Sequence, residues 1–400
     1  MVIRERDGEL WWNMQDEAKV DFKMHDNGRS MYEVLEDIWT EGFDETNGPL
    51  WKSRLVKADE EDKFVTPEIK RDYPHRYYLM TVPHHGLFGG QSSARCTTPM
   101  LQAINAVIDG EPMDKVAPFG EYVPNSAYAE TESMFREKLL TDPERLEAVK
   151  EYCTKSSKKS YLLDYYPPPK VDKATSKHCY IDFDLQTMKK FIANAKKNGI
   201  TYGNAVQNVT TTAYVEMLQE AGATNDVFDI SVGMAADTYR YLEKRDLPIL
   251  GLHIKQMASY MSLSRNPREK FWEHCHVLQK LNKELIKSGY AFEQDVISDL
   301  FIPRVPTCEV FKLKPVTRDF GFTSIGNMDY VINGEGKHVQ ITHIVSFTSV
   351  HDYIFPFFQQ IFTFRANEVN MMYYDSARIS DDTMNHLIDR SLSVIAQYSK

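Results

Sequence analysis

Two adjacent histidines, His84 and His85, followed by Gly86 and by Gly89-Gly90, are the residues of this sequence best suited to moving a proton. A neutral imidazole, with its pKa near ~6.5, acts as a general base at neutral pH when it is held rigidly. Ahead of the pair, Tyr77-Tyr78-Leu79-Met80-Thr81-Val82 is rich in aromatic and β-branched residues and ends at Pro83, which predicts a strand. Behind it, Gly89-Gly90 break the chain before Thr97-Thr98-Pro99 opens a helical pattern through Met100, Leu101, Ile104 and Val107. The histidines are therefore expected on a strand-to-helix turn, whose exposed amides can meet developing negative charge. A pair of structural histidines fits the same local pattern.

The elements that must position this turn follow from periodicity. The 400 residues exceed what one hydrophobic core normally supports, so two domains with a cleft between them are expected. The stiff run Pro167-Pro168-Pro169 sets the boundary, giving an N-terminal domain 1–166, a linker 167–176 and a C-terminal domain 177–400. In the first, Val2 to Glu5 and Glu9 to Trp12 flank Asp7-Gly8 as a β-hairpin, and a missing amino-terminal element is expected ahead of it. Ser30 caps a helix through Met31, Val34, Leu35 and Ile38, and Trp51 to Lys57 forms a strand. Residues 58–75 read as a surface loop, and a charged amphipathic pattern runs through Phe135, Leu139, Leu146 and Val149. In the second domain, strands are expected at Cys179 to Phe183, Val227 to Met234, Asp319 to Asn327, Val339 to Val350, Phe357 to Phe364 and Val369 to Tyr374. Helices are expected from Leu185 to Asn198, after a Thr201 cap, from Pro267 to Lys287, and after a Ser380 cap. His274 and His276 lie two apart on one of them, a poor chelate, with one solvated and one half-buried side chain expected.

Composition narrows the partners. Apolar residues make up 42 % and charged residues 26 %, the balance of a soluble globular protein. The net charge of -10 opposes binding to nucleic acid or to anionic membrane surfaces. Five cysteines, Cys96, Cys153, Cys179, Cys275 and Cys308, are widely spread and never form a C-x-x-C pair, which suggests reduced thiols in the cytoplasm. No apolar run reaches the ~18 residues of a spanning helix and no signal peptide is visible, so a soluble intracellular protein, expected to be a monomer, follows.

The string His84-His85-Gly86-Leu87-Phe88-Gly89-Gly90 resembles the HHxxxDG signature of the condensation-domain and alcohol acetyltransferase superfamily, whose relatives include chloramphenicol acetyltransferase. Phe43-Asp44 and Gly48-Pro49-Leu50-Trp51 resemble that family's entry strand. Asp237 to Arg240 resembles its DxR-like stretch, Ser324-Ile325-Gly326-Asn327 loosely its SxG strand, and Met371 to Tyr374 its carboxy-terminal pattern. The resemblance spans nearly the whole chain, with the family's first helix and strand apparently missing. It implies an α/β fold of two chloramphenicol acetyltransferase-like mixed-sheet subdomains around a central tunnel. It further implies acyl transfer from a thioester to a hydroxyl or amine, with His85 as the base and His84 supporting it. The developing oxyanion would meet the amides of Gly89 and Gly90, or the side chains of Ser324 and Asn327. No metal and no permanently bound cofactor are required; a coenzyme A thioester is the expected co-substrate.

The family's aspartate falls at Gly89, where the implied partner, Arg240, is expected to find another carboxylate such as Asp237 or to reach solvent. Glycine there is also expected to relax the turn through positive φ. A degenerate homologue kept for binding or scaffolding would show the same loss. Another enzyme class is a serine hydrolase, since Gly90-Gln91-Ser92-Ser93-Ala94 approximates a G-x-S-x-G elbow with Ser92 as nucleophile.

Overall fold

Asp7 and Gly8 both take positive φ, 56° and 79°, and so close β1 (Val2–Arg6) and β2 (Glu9–Asn13) into an antiparallel hairpin, as their Asp-Gly sequence predicts. The structure, a computed structural model, describes residues 1–17, 19–25, 28–59, 66–112, 120–244, 246–301, 316–350 and 354–400. The chain forms two compact units: Met1–Asn125 with Lys244–His253 and Asp329–Ile344, and Ser126–Glu243 with Ile254–Met328 and Val345–Lys400.

In the first unit β3 (Asp21–His25), β4 (Trp51–Lys57) and β5 (Tyr77–Pro83) make a sheet in the order β3-β4-β5, parallel then antiparallel. Helix α1 (Met31–Glu41) starts at a complete capping box, with Ser30 and Glu33 bonding each other's backbone amides. Its Val34 and Ile38 pack on Val56, Tyr78, Met80 and Val82, one face of the sheet. The expected loop 58–75 contains a short helix, α2 (Pro67–Asp72), which Thr66 caps and Pro67 opens.

The helix after the histidines, α3 (Gly90–Ile108), begins seven residues earlier than Thr97, where the sequence pattern placed it. Proline tolerates a helix interior at the loss of one backbone bond, and here Pro99 sits inside while Ser92, Ala94, Cys96 and Leu101 are buried. The expected strand Val339 to Val350 does not form. At its start the Asn105 side chain of α3 accepts from the amides of His338 and Val339 and donates to the Val339 carbonyl, and the Ile341 amide donates to the Gly334 carbonyl, so these backbone groups are bonded without a partner strand.

In the second unit α4 (Ala129–Leu140) and α5 (Pro143–Ser156) replace the single amphipathic pattern, because Asp142-Pro143 ends one helix and caps the next. After α6 (Leu162–Tyr165) come β7 (Ser176–Tyr180), α7 (Leu185–Lys197), α8 (Tyr202–Glu220) and β8 (Val227–Asp237). Two-residue β9 (Ile249–Leu250) belongs to the first unit and pairs parallel with β6 (Glu121–Tyr122). The chain continues through β10 (Ile254–Ser264), α9 (Phe271–Ser288), α10 (Tyr290–Phe301), β11 (Phe320–Asn327), β12 (Phe357–Phe364), β13 (Asn367–Asp375) and α11 (Asp381–Tyr398), the last capped by Ser380 as expected. The mixed sheet runs β10-β8-β11-β12-β13-β7, with β8, β11 and β12 mutually parallel. Helix α8 lies buried along nearly its whole length, and its Val206, Val209, Ala213 and Tyr214 share one core with Ile230, Phe320, Phe357 and Ile361 of the sheet.

Asp319, fully buried, ties this unit together: it accepts from the Tyr161 and Ser231 amides and the Tyr214 hydroxyl, and pairs with Lys158 at 2.7 Å. The boundary expected at Pro167 to Pro169 does not coincide with the division into units. Leu139 and Val149 of α4 and α5 pack against Ala236, Met257, Tyr290 and Val296, so these helices belong with the later chain. Among the described residues no helix is long and apolar enough to cross a membrane.

Candidate active site

The antiparallel register of β4 on β5 sets Trp51 opposite Pro83, and this brings residues 43–50, just before one strand, beside residues 84–88, just after the other. The His84 amide donates to the Leu50 carbonyl at 2.9 Å, and the Leu87 amide closes a turn onto the His84 carbonyl at 2.9 Å. The histidines thus stand on a strand-to-helix turn, as their flanks predict. His84 is the more enclosed. Its Nδ1 lies 3.2 Å from the Gly86 amide, its Nε2 3.2 Å from Glu45 Oε1, and the edges of Trp12 and Phe43 meet its ring. His85 is exposed, and its Nδ1 lies 3.0 Å from the Phe88 carbonyl. A carbonyl oxygen only accepts, so Nδ1 carries the proton and Nε2 keeps its lone pair.

Solved structures of known proteins share this architecture. The epimerization domain from the third module of tyrocidine synthetase B superposes with a TM-score of 0.63 at 12 % identity, over 100 % of this chain and 84 % of that one. The first condensation domain of the CDA synthetase gives a TM-score of 0.61 at 11 % identity, over 96 % and 76 %. The fold is that of the condensation domains and their acyltransferase relatives. A trichothecene 15-O-acetyltransferase from Fusarium sporotrichioides is a further neighbour, with a TM-score of 0.62 at 11 % identity over 94 % of this chain and 77 % of that one. No family model and no curated protein sequence matches the chain.

On this condensation-domain fold the sequence-derived site residues separate into two groups. His84, His85, Gly89 and Gly90 lie together in the first unit; Ser324, Asn327, Asp237 and Arg240 lie in the second. Gly89 is the N-cap of α3, with φ -78° and ψ 171°. The turn therefore does not use glycine's positive φ, and the expected relaxation is corrected: any L-residue adopts this backbone. Nor is the Gly89 amide open to an oxyanion, since it donates to the Gly251 carbonyl at 3.1 Å. The first bond of α3 joins the Ser93 amide to the Gly89 carbonyl, leaving the Gly90 amide at the positive helix end.

Ser324 and Asn327 are exposed on β11, where a register shift between Ser324 and Gly326 and a φ of 91° at Gly326 bend the strand end. Ser324 also abuts Gly203 at the start of α8, where a Cβ would come within 2.9 Å of its hydroxyl. Arg240 reaches solvent, one of the two outcomes foreseen for it, while Asp237 accepts from the Tyr239 amide at 2.8 Å. Ser92 is not presented as a nucleophile. It is fully buried, and its hydroxyl donates to the Gly251 carbonyl at 2.8 Å and accepts from the Gly251 amide at 3.1 Å.

On α9, His274 is half-buried and His276 exposed, and burial lowers the pKa of His274. Among the described residues no three His, Cys, Asp or Glu side chains converge as a metal site would require. Cys308 lies outside the described residues; the other four cysteines carry thiols. Glu45, Trp12 and Phe43 are site neighbours that the motif did not single out. The signal for Glu45 was its place between Phe43 and Trp51, in the stretch that leads into the strand beside the histidine strand.

Proposed function

We propose that the protein transfers an acyl group from a coenzyme A thioester to a hydroxyl or amine acceptor, with His85 as general base. The observation that carries this reading is the exposed His85 ring, whose Nδ1 is bonded to the Phe88 carbonyl so that Nε2 keeps the lone pair a base needs. Nε2 would take the acceptor's proton as its oxygen or nitrogen attacks the thioester carbonyl carbon. The carbonyl π electrons pass to oxygen, and the Gly90 amide at the start of α3 is a candidate to receive that charge. When the tetrahedral intermediate collapses, the C–S bond breaks and the departing thiolate takes the proton from the imidazolium. No enzyme–substrate covalent bond is needed.

The test is thiol release from acetyl-coenzyme A and longer acyl-coenzyme A thioesters in the presence of primary alcohols and amines. His85→Ala should lower turnover ~10²- to 10⁴-fold with an unchanged melting temperature, the usual worth of a general base. Parental turnover in His85→Ala would end the base assignment.

One observation favours a second reading. The N-cap of α3 carries no side chain at the position where the resemblance implies an aspartate. A protein retained for binding would tolerate that, and a neighbour of this fold, the X-domain from teicoplanin biosynthesis, has been solved as a complex with OxyB. Binding of acyl-coenzyme A without turnover would support this reading.

A further inference from the structure

His84 takes no part in the proton transfer proposed above, yet it is the more heavily held of the two histidines. The Gly86 N–H at 3.2 Å can only donate, so His84 Nδ1 must accept. In a neutral ring the proton then sits on Nε2, which points at Glu45 Oε1 at 3.2 Å. The carboxylate is the acceptor that selects this tautomer.

Glu45 is itself fixed. Its carbonyl accepts from the Ile3 amide of β1 at 2.7 Å, and the neighbouring Asp44 carboxylate accepts from the Thr46 and Asn47 amides at 3.2 and 2.9 Å. Trp12 and Phe43 approach the His84 ring edge-on, at 6.0 and 5.5 Å between centroids, which hinders its rotation. Gly86 allows the close contact, because a Cβ there would lie 2.9 Å from the Trp12 ring. One residue after His84 and one before Gly86 stands His85.

We infer that Glu45 is a positioning residue for acyl transfer: its carboxylate fixes the tautomer of His84, and His84, bonded to the Gly86 amide, fixes the turn that aims His85. This inference rests on the function proposed above. A base displaced by about 1 Å from its productive geometry loses rate on the order of 10²-fold, whereas substrate affinity need not change.

The experiment compares full-length Glu45→Ala and Glu45→Gln with the parent, using acetyl-coenzyme A as donor and mixed primary alcohols and amines as acceptors. Glu45 is 57 % exposed, so neither change removes packed core. Glu45→Ala should lower kcat ~10- to 100-fold with KM within ~2-fold. Glu45→Gln, whose amide oxygen still accepts from Nε2–H, should stay within ~3-fold of the parent. Nitrogen-15 spectra of the histidine rings supply a readout that needs no turnover: His84 should be Nε2-protonated in the parent and in Glu45→Gln, and a mixture of tautomers in Glu45→Ala. If His85→Ala is inactive while Glu45→Ala keeps both kcat and the His84 tautomer, the positioning role is overturned and the acyl-transfer reading stands. If His85→Ala retains parental turnover, that reading falls, and a tautomer shift in Glu45→Ala still establishes the link from Glu45 to His84.

Discussion

Glu368 on β13 holds both carboxylate oxygens in the interior, with no hydrogen-bond partner among the described residues. Burial raises its pKa from the usual 4.5 to about 8. Between those values the folded chain keeps a proton that the unfolded chain has released. The difference in bound protons therefore makes stability fall as pH rises, by up to ~1.4 kcal/mol per unit, with the loss complete once pH passes the folded value. Glu368→Gln removes the titration. Urea unfolding at pH 5 and pH 8 should show the variant losing less stability between the two than the parent does; equal losses would contradict the buried-acid account. At the same scale, the double histidine was legible because its residue types and flanking strand are local. The Glu45 contact was not, since it joins residues 39 apart that meet only through strand pairing.

At the scale of elements, Asp319 gathers the turn between α5 and α6, the hydroxyl of Tyr214 on α8, and the middle of β8 through the Ser231 amide. Removing it would leave Lys158 without its partner and three donors without their acceptor, two of them fully buried. Asp319→Ala should therefore cost ~3–5 kcal/mol in chemical denaturation, while an exposed ion pair such as Lys150–Glu147 should be nearly silent. Helix α3 offers the converse case. Gly89→Asp would place a carboxylate at a bare N-cap in a permitted conformation, for a gain of a few tenths of a kcal/mol. Thermal melts should show the same gain in an Arg240→Ala background; a gain that vanishes there would instead mean an ion pair.

Elements with strong periodicity and caps, such as α1, α7 and α11, could be read from the sequence. Strand β10 could not: Ile254 to Ser264 is mostly Met, Ala, Ser and other weak strand formers, and it becomes a strand by pairing along its whole length with β8. The misplaced start of α3 came from treating Gly89-Gly90 and Pro99 as punctuation when one glycine is a cap and the proline is interior.

For the whole molecule, the spread of the cysteines predicts reduced thiols, and two of them are sealed in core. Cys96 and Cys275 are buried, and burial raises both pKa values, that of Cys275 to about 12. Because the thiolate is the reactive form, peptide mapping after iodoacetamide treatment at pH 8 should find neither alkylated in the native chain and both alkylated in urea. Native labelling of Cys275 would contradict its burial on α9. The domain boundary was the least legible feature, since proline runs and composition mark linkers, whereas here the first unit is assembled from three separate stretches of chain. That assembly bears on how the protein is made. During translation the histidine turn leaves the ribosome well before the rest of its unit, which lacks its second piece until residue 253 and its third until residue 344, about 220 residues after Asn125, or ~10–40 s at roughly 5–20 residues per second. For that interval the nascent chain carries a unit whose last piece, residues 329–344, has not yet reached its contacts with α3, and it is then that a holding chaperone would matter most.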